Sequence, residues 1–296
     1  MTSPTSPTRI PADGLDGPAR YAVTLPIGLD VEGAWTREVL LEPITGRALD
    51  EVRGEGPGRT PAERFSGMLG HTTARLGPFE RPGPEVLRRL CAGDRDALAL
   101  HLHMLMFGDG IEATLSCPGC GELMDVELSA SALLLPPFGR PGVEESVRIG
   151  HRDVMIRRPT GGDLEAVAGI AARDPDAAVA SLLEACVRHI DGEPVPLAPD
   201  ERDAVADALA RLDPQADLQI ELTCPACHRD ASVPFDPSGF LLQELDRLAR
   251  DLYIEVHALA LHYHWSERDI LGMPDRKRRL YIDLLEQSLE PNGALA

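Results

Sequence analysis

Lysine is almost absent from this chain of 296 residues: Lys277 is the single example. Basic residues number 29 against 48 acidic ones, and a formal net charge of −19 sets the molecule against phosphate backbones and anionic lipid surfaces. Nucleic acid and membrane are therefore poor default partners. Aromatic residues make up only 4% of a chain that is 43% hydrophobic, which excludes an aromatic-rich sandwich and points to a Leu, Val and Ala core built largely from helices. Nowhere do about 20 apolar residues run together, as a membrane-spanning helix needs. The opening Met-Thr-Ser-Pro-Thr-Ser-Pro has neither the basic region nor the apolar run of a signal peptide, so a cytoplasmic protein is expected. Reducing conditions there favour metal binding or redox chemistry over disulfides for paired cysteines.

Residues 1–19 are rich in Ser, Thr, Pro, Gly and Asp and read as a flexible tail. The expected organisation continues with an N-terminal region at 20–135, an inserted hairpin and helical segment at 136–217, and a final region at 218–296. Tyr21 to Leu41 alternates as short strands or extended arms, and a Gly- and Pro-rich stretch from Gly54 to Pro61 breaks periodicity. Between Pro84 and Phe107 apolar residues recur at helical steps with a break near Gly93-Asp94, where Asp94 is placed to cap a second helix. Pro136 to Gly142 reads as a linker, followed by a hairpin (146–149 and 154–157) and a turn at Pro159-Thr-Gly-Gly-Asp163, with Asp163 as cap. Helices are expected at 163–172, 176–190 and 199–212. A long amphipathic helix spans about 239–264, with Leu241, Leu245, Leu248, Leu252, Val256, Leu259 and Tyr263 as its stripe. Ser266 starts a short helix that Pro274 stops, and Asp275 caps a last one through Leu289.

Six cysteines are present, and four form two Cys-x-x-Cys pairs. Cys224 and Cys227 repeat Cys117 and Cys120 at a constant offset of 107 positions, each pair lying between two short alternating runs: 111–115 with 124–128, and 218–222 with 232–235. Two residues between thiolates let both reach one ion, and two such knuckles supply the four tetrahedral ligands that structural Zn2+ prefers. One structural zinc held by Cys117, Cys120, Cys224 and Cys227 is the reading that follows, with a redox dithiol, a metal-free pair, or an ion shared between two chains as alternatives. Strand-like residues follow both pairs, whereas a redox pair opens a helix. Cys91 and Cys186 read as buried thiols and His228 as a turn residue. His101 with His103, and His262 with His264, stand two apart on helices and do not share a face, so they receive no metal. No phosphate-cradling Gly loop, nucleophile with an orienting His, or open zinc site stands out, and the expectation is a protein that is not an enzyme.

Several segments resemble the baseplate hub assembly chaperone family of contractile-tailed phages and related contractile injection systems. They are Gly93-Asp-Arg-Asp-Ala-Leu through Met106-Phe-Gly-Asp-Gly, Cys-Pro-Gly-Cys-Gly-Glu, Pro159-Thr-Gly-Gly-Asp-Leu-Glu, Cys-Pro-Ala-Cys with Val-Pro-Phe-Asp-Pro, and His262-Tyr-His-Trp-Ser-Glu-Arg-Asp-Ile-Leu ahead of Arg-Lys-Arg-Arg-Leu-Tyr. His228 departs from the first knuckle, which has Gly121. The resemblance implies an assembly factor or minor baseplate component that contacts hub, spike or other baseplate proteins and can be incorporated into the particle. Tyr263, Trp265 and Leu271 are candidate partner anchors, with packing of the last helices as the plainer reading. A nucleic-acid-binding regulator, using a helix-turn-helix within 266–285, and a redox protein are the competing functions. The expected fold is mostly α with small β elements (α+β), a zinc-ribbon-like four-cysteine core and a long C-terminal amphipathic helix.

Overall fold

A computed structural model describes residues 8–10, 20–31, 33–54, 59–140, 144–149, 152–188, 197–273 and 275–289. Most of the expected tail, parts of the 54–61 and 136–142 stretches, and Pro274 lie outside these residues. Two compact units divide the chain: Met1–Pro43 with Thr60–Leu241, and Ile44–Arg59 with Leu242–Ala296. This division follows different lines from the segments read in the sequence. The structure is mixed helix and sheet, in keeping with an α+β class.

Unit 1 holds a larger sheet than the small β elements expected: β1 (Thr8–Ile10), β2 (Arg20–Val31), β3 (Ala34–Leu41), β4 (Thr73–Leu76) and β5 (Phe79–Glu80) pair antiparallel in that order. Thr8–Ile10 thus belongs to a strand and not to a tail. β2 runs on through Pro26 and Gly28, where short strands or extended arms were expected. A register shift between Thr24 and Leu29 absorbs them, and Gly28 takes φ +88° with no room for a Cβ, which would lie 2.1 Å from the Thr36 carbonyl. The shift frees the Ile27 and Gly28 amides from β3, and both donate to the Asp94 carboxylate at 2.8 Å.

In unit 2, α1 is Gly46–Gly54. Unit 1 continues with α2 (Pro61–Thr72), α3 (Pro84–Leu87) and α4 (Ala92–Met106). The first two are absent from the sequence reading, in which Gly and Pro between 54 and 61 hid both. Pro61 in fact opens α2 behind a Thr60–Glu63 capping box, where the missing amide costs nothing. The break before α4 is as expected, but Asp94 does not cap it; Cys91 is the N-cap and makes no side-chain capping bond. Every residue from Ala97 to His103 is buried, so α4 is a central helix, covered on all sides. Its first turn tethers four segments. Gly93 N donates to Asp213 Oδ2 (3.0 Å), Asp94 holds β2, Arg95 Nη2 donates to Ser66 Oγ (2.9 Å), and Asp96 Oδ1 accepts from Ser238 Oγ (2.7 Å).

The turn at 159–163 docks on the same place, through Ala92 N to Pro159 O (2.9 Å), Gly161 N to Leu90 O (2.9 Å) and Gly162 N to Arg88 O (3.0 Å). Thr160, and not Asp163, caps the following helix; Asp163 sits at the third position and completes the capping box.

After α4 come β6 (Gly110–Ser116), β7 (Leu123–Ser129), α5 (Ala130–Leu133), β8 (Glu145–Ile149), β9 (Arg152–Ile156), α6 (Gly161–Ala171), α7 (Pro175–Cys186), β10 (Val187–Arg188) and α8 (Pro199–Leu212). Ile149, Val154, Ile156, Leu183, Val187, Val205 and Leu209 form a core cluster of this segment alone. β11 (Gln219–Thr223) and β12 (Asp230–Pro234) follow. Ile220 of β11 and Phe235, just past β12, join Ile111, Ala113, Ala97 and Leu100 in a second cluster, so both cysteine hairpins rest on α4.

The helix α9 (Pro237–Tyr263) starts in unit 1, and from Leu242 its residues belong to unit 2 with α10 (Glu267–Leu271) and α11 (Asp275–Leu289). Its buried side runs through Leu245, Ala249, Leu252, Val256 and Leu259, with Ala249 in place of the expected Leu248. Ser266 caps α10 as read. Arg278, in α11, is buried and pairs with Glu255 at 2.5 Å.

Candidate metal centre

The two knuckles are copies in structure as well as in spacing. Ala113 pairs with Val126 and Ile220 with Val233, the same register 107 positions on. Cys117 N donates to Glu122 O (2.8 Å) and Cys224 N to Arg229 O (3.0 Å); Gly121 N donates to Cys117 O (2.8 Å) and His228 N to Cys224 O (2.9 Å). Each turn closes through a left-handed residue, Gly121 at φ +76° and His228 at φ +54°. His228 is therefore a turn residue, as read, in a conformation that glycine adopts more easily.

The hairpins bring the four sulfurs together. Cys117 Sγ lies 3.8 Å from Cys227 Sγ, Cys120 Sγ lies 3.6 Å from Cys224 Sγ, and all four are within 4.8 Å of one another. Four thiolates at the usual Zn–S distance of about 2.3 Å have tetrahedral edges of about 3.8 Å. The group is thus suited to hold a metal ion, and both short edges join one hairpin to the other. The first cysteine of each pair is buried and packs with Met124, while Cys120 is exposed and Cys227 half-buried.

Donors surround the sulfurs. Gly119 N points at Cys117 Sγ from 3.4 Å and lowers its pKa. The amide of Arg229 and then its guanidinium draw the Cys227 thiol down to about 6. Cys120 moves the other way: the Glu122 amide lowers it, but loss of water and the sulfurs of Cys224, Cys117 and Cys227 outweigh that pull and push it to about 12. Four thiolates so close cannot ionise together without a cation between them. Arg229 also donates to the Gly119 carbonyl at 2.9 Å, tying the second knuckle to the first. The sequence reading passed over Arg229; a basic residue two places after the last cysteine was the available signal. A Cβ on Gly119 would meet that guanidinium at 2.8 Å.

The remaining candidates lie elsewhere. Cys91 and Cys186 are buried, and burial raises both thiols. His101 and His103 are buried in α4, with His101 lowered to about 4 by desolvation and His103 Nδ1 at 3.1 Å from the Gly108 carbonyl. Tyr263 stacks on Trp265 with centroids 4.7 Å apart, and Tyr281 meets Trp265 edge-on at 4.8 Å. Leu271 is buried, and Tyr263 and Trp265 are half-buried. No described helix is long and apolar enough to cross a membrane. No protein-family model, curated protein or solved structure matches the chain, and the reading of its site rests on the residues themselves.

Proposed function

We propose that Cys117, Cys120, Cys224 and Cys227 hold one structural Zn2+, and that the protein is a non-enzymatic assembly factor or minor baseplate component of a contractile, phage-tail-like injection system. The observation that carries the first half is the complete four-sulfur shell, with cross-hairpin separations of 3.6 and 3.8 Å that fit tetrahedral thiolate edges. A shell filled by four protein ligands keeps no position for water or substrate, which favours a structural ion over a catalytic one. Both pairs sit in turns between strands and not at a helix start, which supports metal over a redox dithiol.

The second half rests on the motifs shared with the hub assembly chaperone family. Gly93-Asp-Arg-Asp ties together β2, α2, the start of α9 and Asp213, and the 159–163 turn docks beside it. These motifs therefore hold the frame on which both hairpins rest. The partners are hub, spike or other baseplate proteins, met through protein surfaces. The test is assembly of the contractile particle in cells lacking this chain, with rescue by the wild type and by Cys117→Ser. Sheath and tube without complete baseplates, rescued by the wild type alone, are expected. Normal particles in its absence would dispose of the assembly role.

A further inference from the structure

The repeat that builds the two knuckles is imperfect, and one departure from it reaches across the site. A shift of 107 positions carries Glu122 onto Arg229 and Gly119 onto Ala226, so a base stands in the second turn where an acid stands in the first. Arg229 Nη2 donates to the Gly119 carbonyl of the other hairpin at 2.9 Å, and the same guanidinium donates to Cys227 Sγ. The charges of Cys227, Cys117 and Cys120 all act on it.

Gly119 has no backbone reason to be glycine. Its φ is not left-handed, unlike that of Gly121, and Ala226 shows that the matching turn accepts a Cβ. The three atoms nearest to a Cβ at 119 all belong to Arg229: Nη2 at 2.8 Å, Cζ at 3.0 Å and Nε at 3.3 Å. The missing side chain is the seat of a guanidinium. The peptide that receives it, between Gly119 and Cys120, donates its own N–H to Cys117 Sγ, and a bond accepted at its oxygen strengthens the one given by its nitrogen. Arg229 thus acts on both ends of the 3.8 Å edge between Cys117 and Cys227, directly on one sulfur and through a peptide on the other.

Four thiolates around a divalent cation leave two negative charges over, and donors aimed at the sulfurs spread that excess. Buried Cys117 and Cys224 close one side of the centre, so an ion leaves past exposed Cys120 and half-buried Cys227. Arg229, itself exposed, stands on that open side. A lone ion pair at a surface contributes little; a guanidinium fixed at two points on opposite hairpins has to let go before they part.

We propose that Arg229 is a positioning residue of the metal centre, a latch seated on Gly119 that holds the two hairpins closed around the ion and slows its release. The proposal rests on the reading of the four cysteines as one zinc site. Transfer of zinc from the loaded full-length chain to the chromogenic chelator pyridylazoresorcinol tests it, with the thiolate charge-transfer bands of the cobalt-loaded chain as a second readout. Arg229→Ala is expected to release zinc about tenfold faster, the lower end of what loss of a group that orients a metal ligand costs. Gly119→Ala, which pushes the guanidinium off its seat, should do the same, and the double variant no more than either alone. Arg229→Lys keeps the charge without the fork and falls between; Glu122→Ala, at the matching position of the first knuckle, leaves release unchanged. A shifted charge-transfer band in Arg229→Ala, absent from Glu122→Ala, marks a change at the sulfurs themselves. Wild-type release in Arg229→Ala, single effects that multiply in the double variant, or equal acceleration by Glu122→Ala would each overturn it. A wild-type chain that takes up no zinc removes the site and the latch together; one zinc per chain, released alike by every variant, removes the latch alone.

Discussion

Replacing one cysteine should loosen both knuckles, and the size of the effect follows from the length of chain between them. A link from Cys120 to Cys224 closes a loop of about a hundred residues, worth at most about 4.7 kcal/mol in the chain-entropy account of cross-links. The folded structure already bears part of that cost. Ile111 and Ala113 share a core with Ile220 and Phe235, and Gln215 bridges to the Leu135 amide at 2.7 Å, so the hairpins meet without the ion. Roughly half, about 2 kcal/mol, is the expected loss of stability in Cys120→Ser, with loss of the bound metal. Hydrogen exchange reads where the loss falls. Two-stranded hairpins are marginal alone, so the amides of Cys117 and Gly121 and those of Cys224 and His228 should lose protection together. Cys120 is exposed, so its serine causes little packing damage of its own. If exchange in Cys120→Ser quickens around 117–122 while 224–229 stays protected, or if metal content is unchanged, the two pairs do not share an ion.

Asp94→Asn should cost about 1 to 3 kcal/mol, measured by denaturant unfolding, because an amide has one acceptor oxygen for the two amides that Asp94 serves; an unchanged midpoint would refute the tether. Burial pushes the Asp96 carboxyl up to about 8 against the Ser238 hydroxyl, so the folded form keeps a proton that the unfolded form releases. Its contribution is whole below the unfolded value and fades as pH rises from about 4 to about 8, by up to about 1.4 kcal/mol per unit. Asp96→Asn should therefore gain on the wild type across that window, and parallel stability profiles would count against it. Gly93→Ala would put a Cβ 2.0 Å from Asp213 Oδ1 and should cost about 1 to 3 kcal/mol, whereas Gly70→Ala, on α2 with nothing within 4 Å, should stabilise slightly. Thermal melts of the two variants moving in the same direction would contradict this.

What could be read from the residues was local. α8 and the two cysteine hairpins follow from periodicity, turn residues and the repeat at 107, and the four sulfurs do converge. What escaped was set by distant partners. β2 looked broken because Pro26 and Gly28 interrupt it, and only the carboxylate of Asp94, far along the chain, makes that interruption tolerable. Asp94 resembled a cap because capping chemistry and long-range tethering use the same side chain, and Asp163 because it is the third-position member of a capping box that Thr160 opens. Leu271, a candidate anchor in the sequence, is buried by contacts that no short window shows.

The distance between the two knuckles also has a temporal side. On a ribosome moving at roughly 5–20 residues per second, Cys224 follows Cys117 by about 5 to 20 seconds. During that interval the first pair has no partner thiols, while the segment that carries its own core, from Ile149 to Leu212, can collapse. Metal capture is then a closing event: it reports that everything made between the two pairs has folded well enough to bring their sulfurs face to face.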